Sequence, residues 1–476
     1  MIKDLDDYNK FIENKNKFIV NKGFTCDADL IEKYNMFEHQ SDMVKLALKK
    51  GKFAIFADTG LGKSIMGLSW CNEIHEKYNE PVLICTPLSV ADQFIKEASK
   101  FNIEHCKIIS NTVDIINGIN IINYEKLHKI DTEKFIAVCL DESSILKSFT
   151  GKVRSNIIDS FKNTKFKLCE SATPSPNDYM EFMNHCEFLD VMEGNSMLSM
   201  FFTHDGGDTS KWIIKPHAKE SFFEFLTTWA LFIKNPIDYG YDFDMSKELP
   251  SLIIKDVIID SSSGKEIDAN DIIGIVNNNT ESYSMTDRRN NRKITLKYRC
   301  DKVKQIVNTN DEKYLIWCDL NDESDELNKI IDKAEDLQGK HNIDQKIDKM
   351  NRFSNNELDV LITKPKIAGF GMNWQHCRNV IFCGISDSYE QFYQSIRRCY
   401  RYGQKRDVNV YVVCTEKDLV VLENIKRKEK NHNDLYNNTI KYSMYELKGI
   451  HKEKKDNIYN ATKQFNKPNF LIKGKK

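Results

Sequence analysis

The stretch Phe53-Ala-Ile-Phe-Ala-Asp-Thr-Gly-Leu-Gly-Lys-Ser64 decides how the rest of the chain is read. Phe53 to Ala57 is a short apolar run with the character of a buried strand, and Ile65-Met-Gly-Leu-Ser-Trp70 after it has helical spacing. Between them lies a turn holding Gly60 and Gly62, where the missing Cβ lets the backbone wrap an anion. Strand, glycine turn and helix in this order form a phosphate-binding loop, because the amides of the turn and of the helix N-terminus point at the phosphates. Lys63 then reaches the β- and γ-phosphates, and the Ser64 hydroxyl holds Mg²⁺. Ala57 stands where the usual pattern has its first Gly, so the loop alone is not distinguished from a glycine-rich turn ahead of a helix.

Outward from the loop, the same rhythm repeats. Pro81-Val-Leu-Ile-Cys-Thr-Pro-Leu-Ser-Val90 is a strand running into a turn, and Ala91 to Phe101 reads as a helix. Ile119 to Tyr124 is another apolar strand, and Phe135-Ile-Ala-Val-Cys-Leu-Asp-Glu-Ser-Ser144 is a buried strand closing on two adjacent carboxylates. Lys165 to Cys169 runs into Glu170-Ser-Ala-Thr-Pro174. Alternating strands and helices argue a parallel sheet, with ligands at the carboxyl ends of its strands. The rhythm resumes at Lys313 to Asp319, Leu358 to Thr363, Val380 to Cys383 and Val408 to Val413, a second parallel sheet.

The intervening residues 185–250 are rich in Phe and Trp and read as a small, mainly helical subdomain packed on its own aromatic core. The expected organisation is 1–184, a nucleotide-binding domain with a lead-in; 185–250, the aromatic insertion; 251–447, the second sheet domain; and 448–476, a basic tail. A solvated end is the plain reading of that tail, which would add non-specific polymer affinity through its lysines.

A length of 476 residues suits two compact domains. The formal net charge of −1 excludes a chain that binds nucleic acid by bulk electrostatics, so any such contact is local. The 13 cysteines include no C-x-x-C pair, and Cys85, Cys139, Cys318 and Cys383 fall inside apolar strands as buried thiols. That composition points to a reducing, cytoplasmic setting. The charged start Met1-Ile-Lys-Asp-Leu-Asp-Asp-Tyr8 has no apolar leader core, and no run reaches membrane length, so no membrane partner is expected.

The motifs together resemble those of superfamily 2 helicases and, within them, the Swi/Snf-like ATPases. Asp58 to Ser64 is similar to D-x-G-L-G-K-[ST], and Thr86 to Phe94 to C-P-x-S-x-x-x-Q-W with Phe for Trp. Leu140-Asp-Glu-Ser-Ser144 fills the D-E-x-x slot, and Ser171-Ala-Thr173 matches S-A-T. Lys366 to Asn373 resembles K-A-G-G-x-G-L-N, and Gln394 to Gln404 resembles Q-x-x-x-R-x-x-R-x-G-Q. Phe201 to Gly206, Lys215 to Ala218 and Trp374 to Cys377 resemble compact phage-encoded members, which places the protein in a host cytoplasm. Ser143-Ser144 departs from the usual Ala-His, which leaves open how that strand end is coupled to the S-A-T motif.

The resemblance implies an α/β fold of two RecA-like domains that hydrolyses ATP with Mg²⁺ and moves on nucleic acid, duplex DNA in the Swi/Snf case, as a monomer. It implies a nucleotide site of Gln40, Asp58, Thr59, Gly60, Leu61, Gly62, Lys63, Ser64, Gly371 and Gln394, with Gln40 placed to read an adenine edge. Ser64 and Asp141 hold the metal, Glu142 prepares the attacking water, and Arg401 with Arg398 acts as an arginine finger. Ser171, Thr173 and Gln404 couple the domains, and Thr86, Ser89, Lys147 and Thr363 contact the nucleic-acid backbone. A strand-separating helicase and an ATP-gated clamp with little turnover are the rival readings.

Overall fold

The computed structural model describes residues 22–87, 90–147, 151–205, 212–268, 285–368 and 372–448. Of the expected lead-in, residues 1 to about 35, only the part from residue 22 on is described, including a short helix at Leu30–Tyr34, and the expected basic tail beyond residue 448 lies outside the described residues.

The first sheet begins with β1 (Lys52–Ala57), β2 (Val82–Thr86), β3 (Cys106–Ile108), β4 (Ile119–Asn123), β5 (Ala137–Asp141) and β6 (Phe166–Glu170). Helices α1 (Glu38–Lys50), α2 (Lys63–Tyr78) and α3 (Ala91–Lys100) belong to the same domain. Both faces of the sheet are covered, so its strands read as unbroken apolar runs rather than alternating ones. Alternate residues part company: Ile84 and Cys139 join the core shared with α1 and α2, while Leu83 and Val138 face the opposite core.

That opposite core is where residues 185–250 go. They supply most of α4 (Phe182–Phe188), all of α5 (Gly194–Phe201), a small antiparallel hairpin of β7 (Phe202–His204) and β8 (Trp212–Ile214), α6 (Lys219–Thr227) and β9 (Ala230–Ile233). β9 pairs parallel with β1, Ala54 opposite Ala230, and completes the order β3-β4-β2-β5-β6-β1-β9. Phe56 of β1 lies 5.8 Å from the Phe182 ring and 5.1 Å from that of Phe232. The aromatic-rich, mainly helical segment is thus present, but it has no core apart from the sheet. A sheet face left bare would expose apolar area worth about 25 cal/mol per Å², and these rings cover it. The expected boundary at 184 falls inside α4.

The second sheet runs β10 (Leu252–Ile259), β11 (Tyr314–Cys318), β12 (Ala334–Asp336), β13 (Val360–Thr363), β14 (Asn379–Cys383) and β15 (Val408–Thr415), in the order β10-β15-β14-β11-β13-β12 and all parallel. With it go α7 (Leu296–Val307), α8 (Asn321–Ile330) and α9 (Tyr389–Ile396). The last helix, α10 (Leu419–Lys448), starts in this domain's core through Val421 and Ile425, then crosses to the first domain, where Leu435 and Tyr436 are buried. Among the described residues no helix is long and apolar enough to cross a membrane.

A fully buried ion pair ties α7 to α8. Arg299 donates to Glu323 at 2.6 Å, to the Cys383 carbonyl at 3.0 Å and to the Arg292 carbonyl at 2.6 Å. The other Glu323 oxygen caps the amides of Asp319 and Leu320. Removing one partner strands the other charge away from water, which costs about 3–5 kcal/mol. Glu323→Ala is therefore expected to destabilise the second domain by about that amount in chemical unfolding, whereas Lys340→Ala, at an exposed pair, leaves the transition in place.

Candidate functional site

The phosphate loop is braced from below. Gly60 and Gly62 take φ of +90° and +80°, a region costly for any residue with a Cβ. A Cβ on Gly62 would lie 2.3 Å from Gln40 Nε2. Gln40 donates to the Leu61 carbonyl at 2.9 Å and accepts from the Phe37 amide at 3.0 Å. Its amide is engaged in holding the loop, which differs from the expected reading of an adenine edge. Lys63, opening α2, donates to the Ala57 carbonyl at 3.0 Å, and Ser64 follows it, half-buried. Asp58 accepts from the Thr59 amide at 2.6 Å.

The carboxylates stand at the ends of neighbouring strands. Asp141 closes β5, and Thr86, closing β2, donates to its Oδ2 at 2.7 Å. Tyr124 donates to the Asp141 carbonyl at 2.7 Å. Glu142 follows at φ +51°, a left-handed conformation rare for a residue of its kind and concentrated at functional sites. Burial raises the affinity of both carboxyls for protons; in Asp141 the neighbouring Glu142 adds to it, and in Glu142 the Lys63 and Arg398 charges oppose it. Ser171 donates to Glu142 at 3.3 Å, and the Thr173 amide donates to Ser171 Oγ at 3.1 Å. Glu170, at the end of β6 opposite Asp141, is a third acid, its proton affinity raised by burial and by the Asp141 charge. An acid ending an apolar strand was the available signal for Glu170, obscured by the more familiar Ser171-Ala-Thr173 after it.

The second domain reaches this cluster through α9 and the turn beyond it. Gln394 donates to Glu142 at 3.5 Å. Arg398 is held by Gln394 Oε1 at 2.8 Å and by the Met372 carbonyl at 3.1 Å, with its charge beside Glu142. Arg397, not singled out in the sequence, pairs with Asp58 at 3.1 Å, and Tyr393 donates to the same carboxylate. Burial works against the Asp58 charge, yet Arg397 and Tyr393 outweigh it and hold the carboxyl below the usual range. Arg401 feels the charge of Glu97 on α3 across the cleft, while burial lowers its own proton affinity.

Four further residues of the expected site have other partners. Thr86 is fully buried and its hydroxyl donates to Asp141 instead of facing solvent, where a backbone-phosphate contact would need it. Thr363 is likewise buried and donates to the Leu337 carbonyl at 3.1 Å. Hydroxyls at the ends of buried strands must find protein partners, which removes them from solvent. Lys147 is committed to an ion pair with Glu390 of α9. Gln404 binds the carbonyls of Gln375, Cys377 and Cys399 and staples a loop of its own domain rather than joining the two domains. Ser89 and Gly371 lie outside the described residues.

Two family models match the chain. "Type III restriction enzyme, res subunit" covers residues 32–176, and "Helicase conserved C-terminal domain" covers residues 298–403. None of the curated proteins compared with the chain matches it. Among solved structures, a SWI2/SNF2 ATPase core of Sulfolobus solfataricus in complex with dsDNA is similar over 88% of this chain and 99% of that one, at 18% identity and a TM-score of 0.41. Fold and site define a two-domain P-loop nucleotide hydrolase whose cleft is lined from both sides. The two matches fall one on each sheet domain, and the second identifies residues 298–403 as a helicase C-terminal domain.

The Thr86–Asp141 bond separates the two readings of Thr86. A hydrogen bond to a charged group is worth about 1.5–3 kcal/mol, so Thr86→Val is expected to lower nucleotide hydrolysis at least tenfold while duplex DNA affinity stays unchanged. Parallel turnover and filter-binding measurements check both halves.

Proposed function

We propose that the chain is an ATP-dependent translocase of the Swi/Snf type, working on duplex DNA. The observation that carries this reading is convergence: residues of both domains bear on one cleft, with Gln394 and Arg398 at Glu142, and Arg397 and Tyr393 at Asp58. A cleft assembled this way opens and closes with the nucleotide cycle, which converts hydrolysis into relative domain movement. The motif set, including Asp58 to Ser64 and Gln394 to Gln404, supports the Swi/Snf assignment within the superfamily.

The chemistry follows from positions. The loop amides and Lys63 receive the β- and γ-phosphates of ATP. Ser64 and Asp141 fit Mg²⁺, since they are oxygen donors and this ion is held by one or two protein ligands with substrate phosphates completing its shell. Bound there, the ion neutralises charge on the phosphates. Asp141 would hold the ion with a carboxylate that Thr86 anchors through its other oxygen, Oδ2. Glu142 takes a proton from the attacking water, and Ser171 and Gln394 hold its carboxylate in line. Arg398 and Arg401 bring positive charge from the second domain to the γ-phosphoryl group being transferred to water as ADP leaves.

Glu142→Gln keeps size and hydrogen bonding but removes the base. ATP and DNA binding should persist while turnover falls by roughly two to four orders of magnitude. Loss of ATP affinity with an unchanged rate would reverse the roles of Asp141 and Glu142.

The function itself is tested by ATP turnover with no polymer, single-stranded DNA, duplex DNA and RNA, alongside a displacement assay on tailed duplexes. Stimulation by duplex DNA without strand displacement is expected. Strand displacement would make the chain a separating helicase, and ATP binding without turnover would make it a clamp. In the same panel Arg401→Lys should reduce turnover by roughly 10³ to 10⁵ with ATP affinity retained, because Lys lacks the planar fork. Wild-type turnover in that variant would refute the two-domain cleft.

A further inference from the structure

We propose that Ser144, Lys147 and Glu390 form the link that reports closure of the two domains to the catalytic acid, in place of the Ala-His that superfamily motifs carry after the acidic pair. The inference rests on the translocase reading and concerns how its cleft is set.

Glu390 lies in the first turn of α9 and is 2% exposed. Both of its oxygens are taken by the first domain: Ser144 donates to Oε1, and Lys147 pairs with Oε2. These partners lie 246 and 243 residues away in the chain, so the contact exists only where the domains meet. Ser144 and Lys147 belong to the single helical turn Ser143–Lys147, which begins immediately after Glu142. The Ile145 amide bonds the Glu142 carbonyl at 3.2 Å, so a pull on this turn is felt at the catalytic residue's own backbone. Glu142 already holds an unfavourable positive φ, and a backbone of that kind persists only where its surroundings fix it.

The other end of the link is as direct. Residues i and i+4 share one face of a helix, so Glu390 and Gln394 face the first domain together, and Arg398 continues the line. Seating Glu390 on Ser144 and Lys147 therefore sets the position from which Gln394 and Arg398 address Glu142. A carboxylate buried as deeply as Glu390 is costly unless paired and hydrogen-bonded, so the docked position is favoured when Ser144 and Lys147 are both within reach. The interface around it is built as well: Lys428 of α10 bridges the Asn177 side chain at 2.9 Å and the Asp387 carbonyl at 2.6 Å, beside the N-terminus of α9. Ser143 faces the other way, to His185 Nε2 at 3.2 Å, so the two serines divide the work of anchoring the turn and joining the domains.

The test uses the full chain and the variants Ser144→Ala, Lys147→Ala, Glu390→Gln and Lys147→Ala with Glu390→Gln. ATP affinity, thermal unfolding and turnover with and without duplex DNA are measured. Closure is followed by energy transfer between fluorophores at Glu133 and Asp332, with a non-hydrolysable ATP analogue. Each single variant should lower duplex-stimulated turnover by about ten- to a hundredfold, the scale of misplacing catalytic groups, and should reduce the closed fraction, with melting and ATP affinity in place. The double variant should lose no more than the worse single, since partners in one contact are not additive. Full stimulation in the variants, additive losses, or an unchanged closed fraction would overturn the link. A wild type that no polymer stimulates would instead overturn the translocase reading, and the closure measurement would then judge the link by itself.

Discussion

A buried negative charge at the mouth of the phosphate loop sets the terms for the rest of the molecule. Asp58 is nearly inaccessible to water, and within the first domain its partners are mainly the amide and hydroxyl of Thr59. The compensating cation comes from the second domain, where Arg397 meets one oxygen and Tyr393 the other. Leaving such a carboxylate unpaired in a dry interface is expensive, so the loop favours the arrangement in which α9 is docked. Docking α9 for the sake of Asp58 brings Gln394, and Arg398 in the turn just after the helix, to Glu142. Nucleotide-site geometry and domain closure are therefore one event.

The sheets explain why that event can be so local. Parallel strands present all their carboxyl ends on one edge, and here that edge carries Asp58 after β1, Thr86 on β2, Asp141 on β5 and Glu170 on β6. The apolar bodies of the strands are packed on both faces, so their ends are fixed to within small displacements. The aromatic segment contributes to this rigidity by covering the face around Phe56, and β9 protects the far side of β1. Helix α10 then returns from the second domain and donates Tyr436 to the Ala172 carbonyl at 3.1 Å, next to the serine that holds Glu142. His432 packs between the rings of Tyr389, Tyr393 and Tyr436 in the same seam.

The amino-acid sequence by itself determined the two parallel sheets, the loop, the acidic pair and the basic motif of the second domain. Those features are written in short windows: apolar runs of strand length, glycines where φ turns positive, and charged residues at fixed offsets from both. It did not determine which hydroxyls and amides remain free. Thr86 and Thr363 look alike as strand-end hydroxyls, and both are consumed inside the protein because buried donors must be satisfied. Nor did it show that residues 185–250 would finish the first sheet, since a four-residue strand among helices carries too weak a period to be recognised. The pairings of Arg397 with Asp58 and of Glu390 with Ser144 and Lys147 join residues hundreds of positions apart, and only the tertiary structure decides them. Local pattern records what each segment must bury or bind, whereas charge compensation across the cleft depends on which surfaces meet once both sheets are closed.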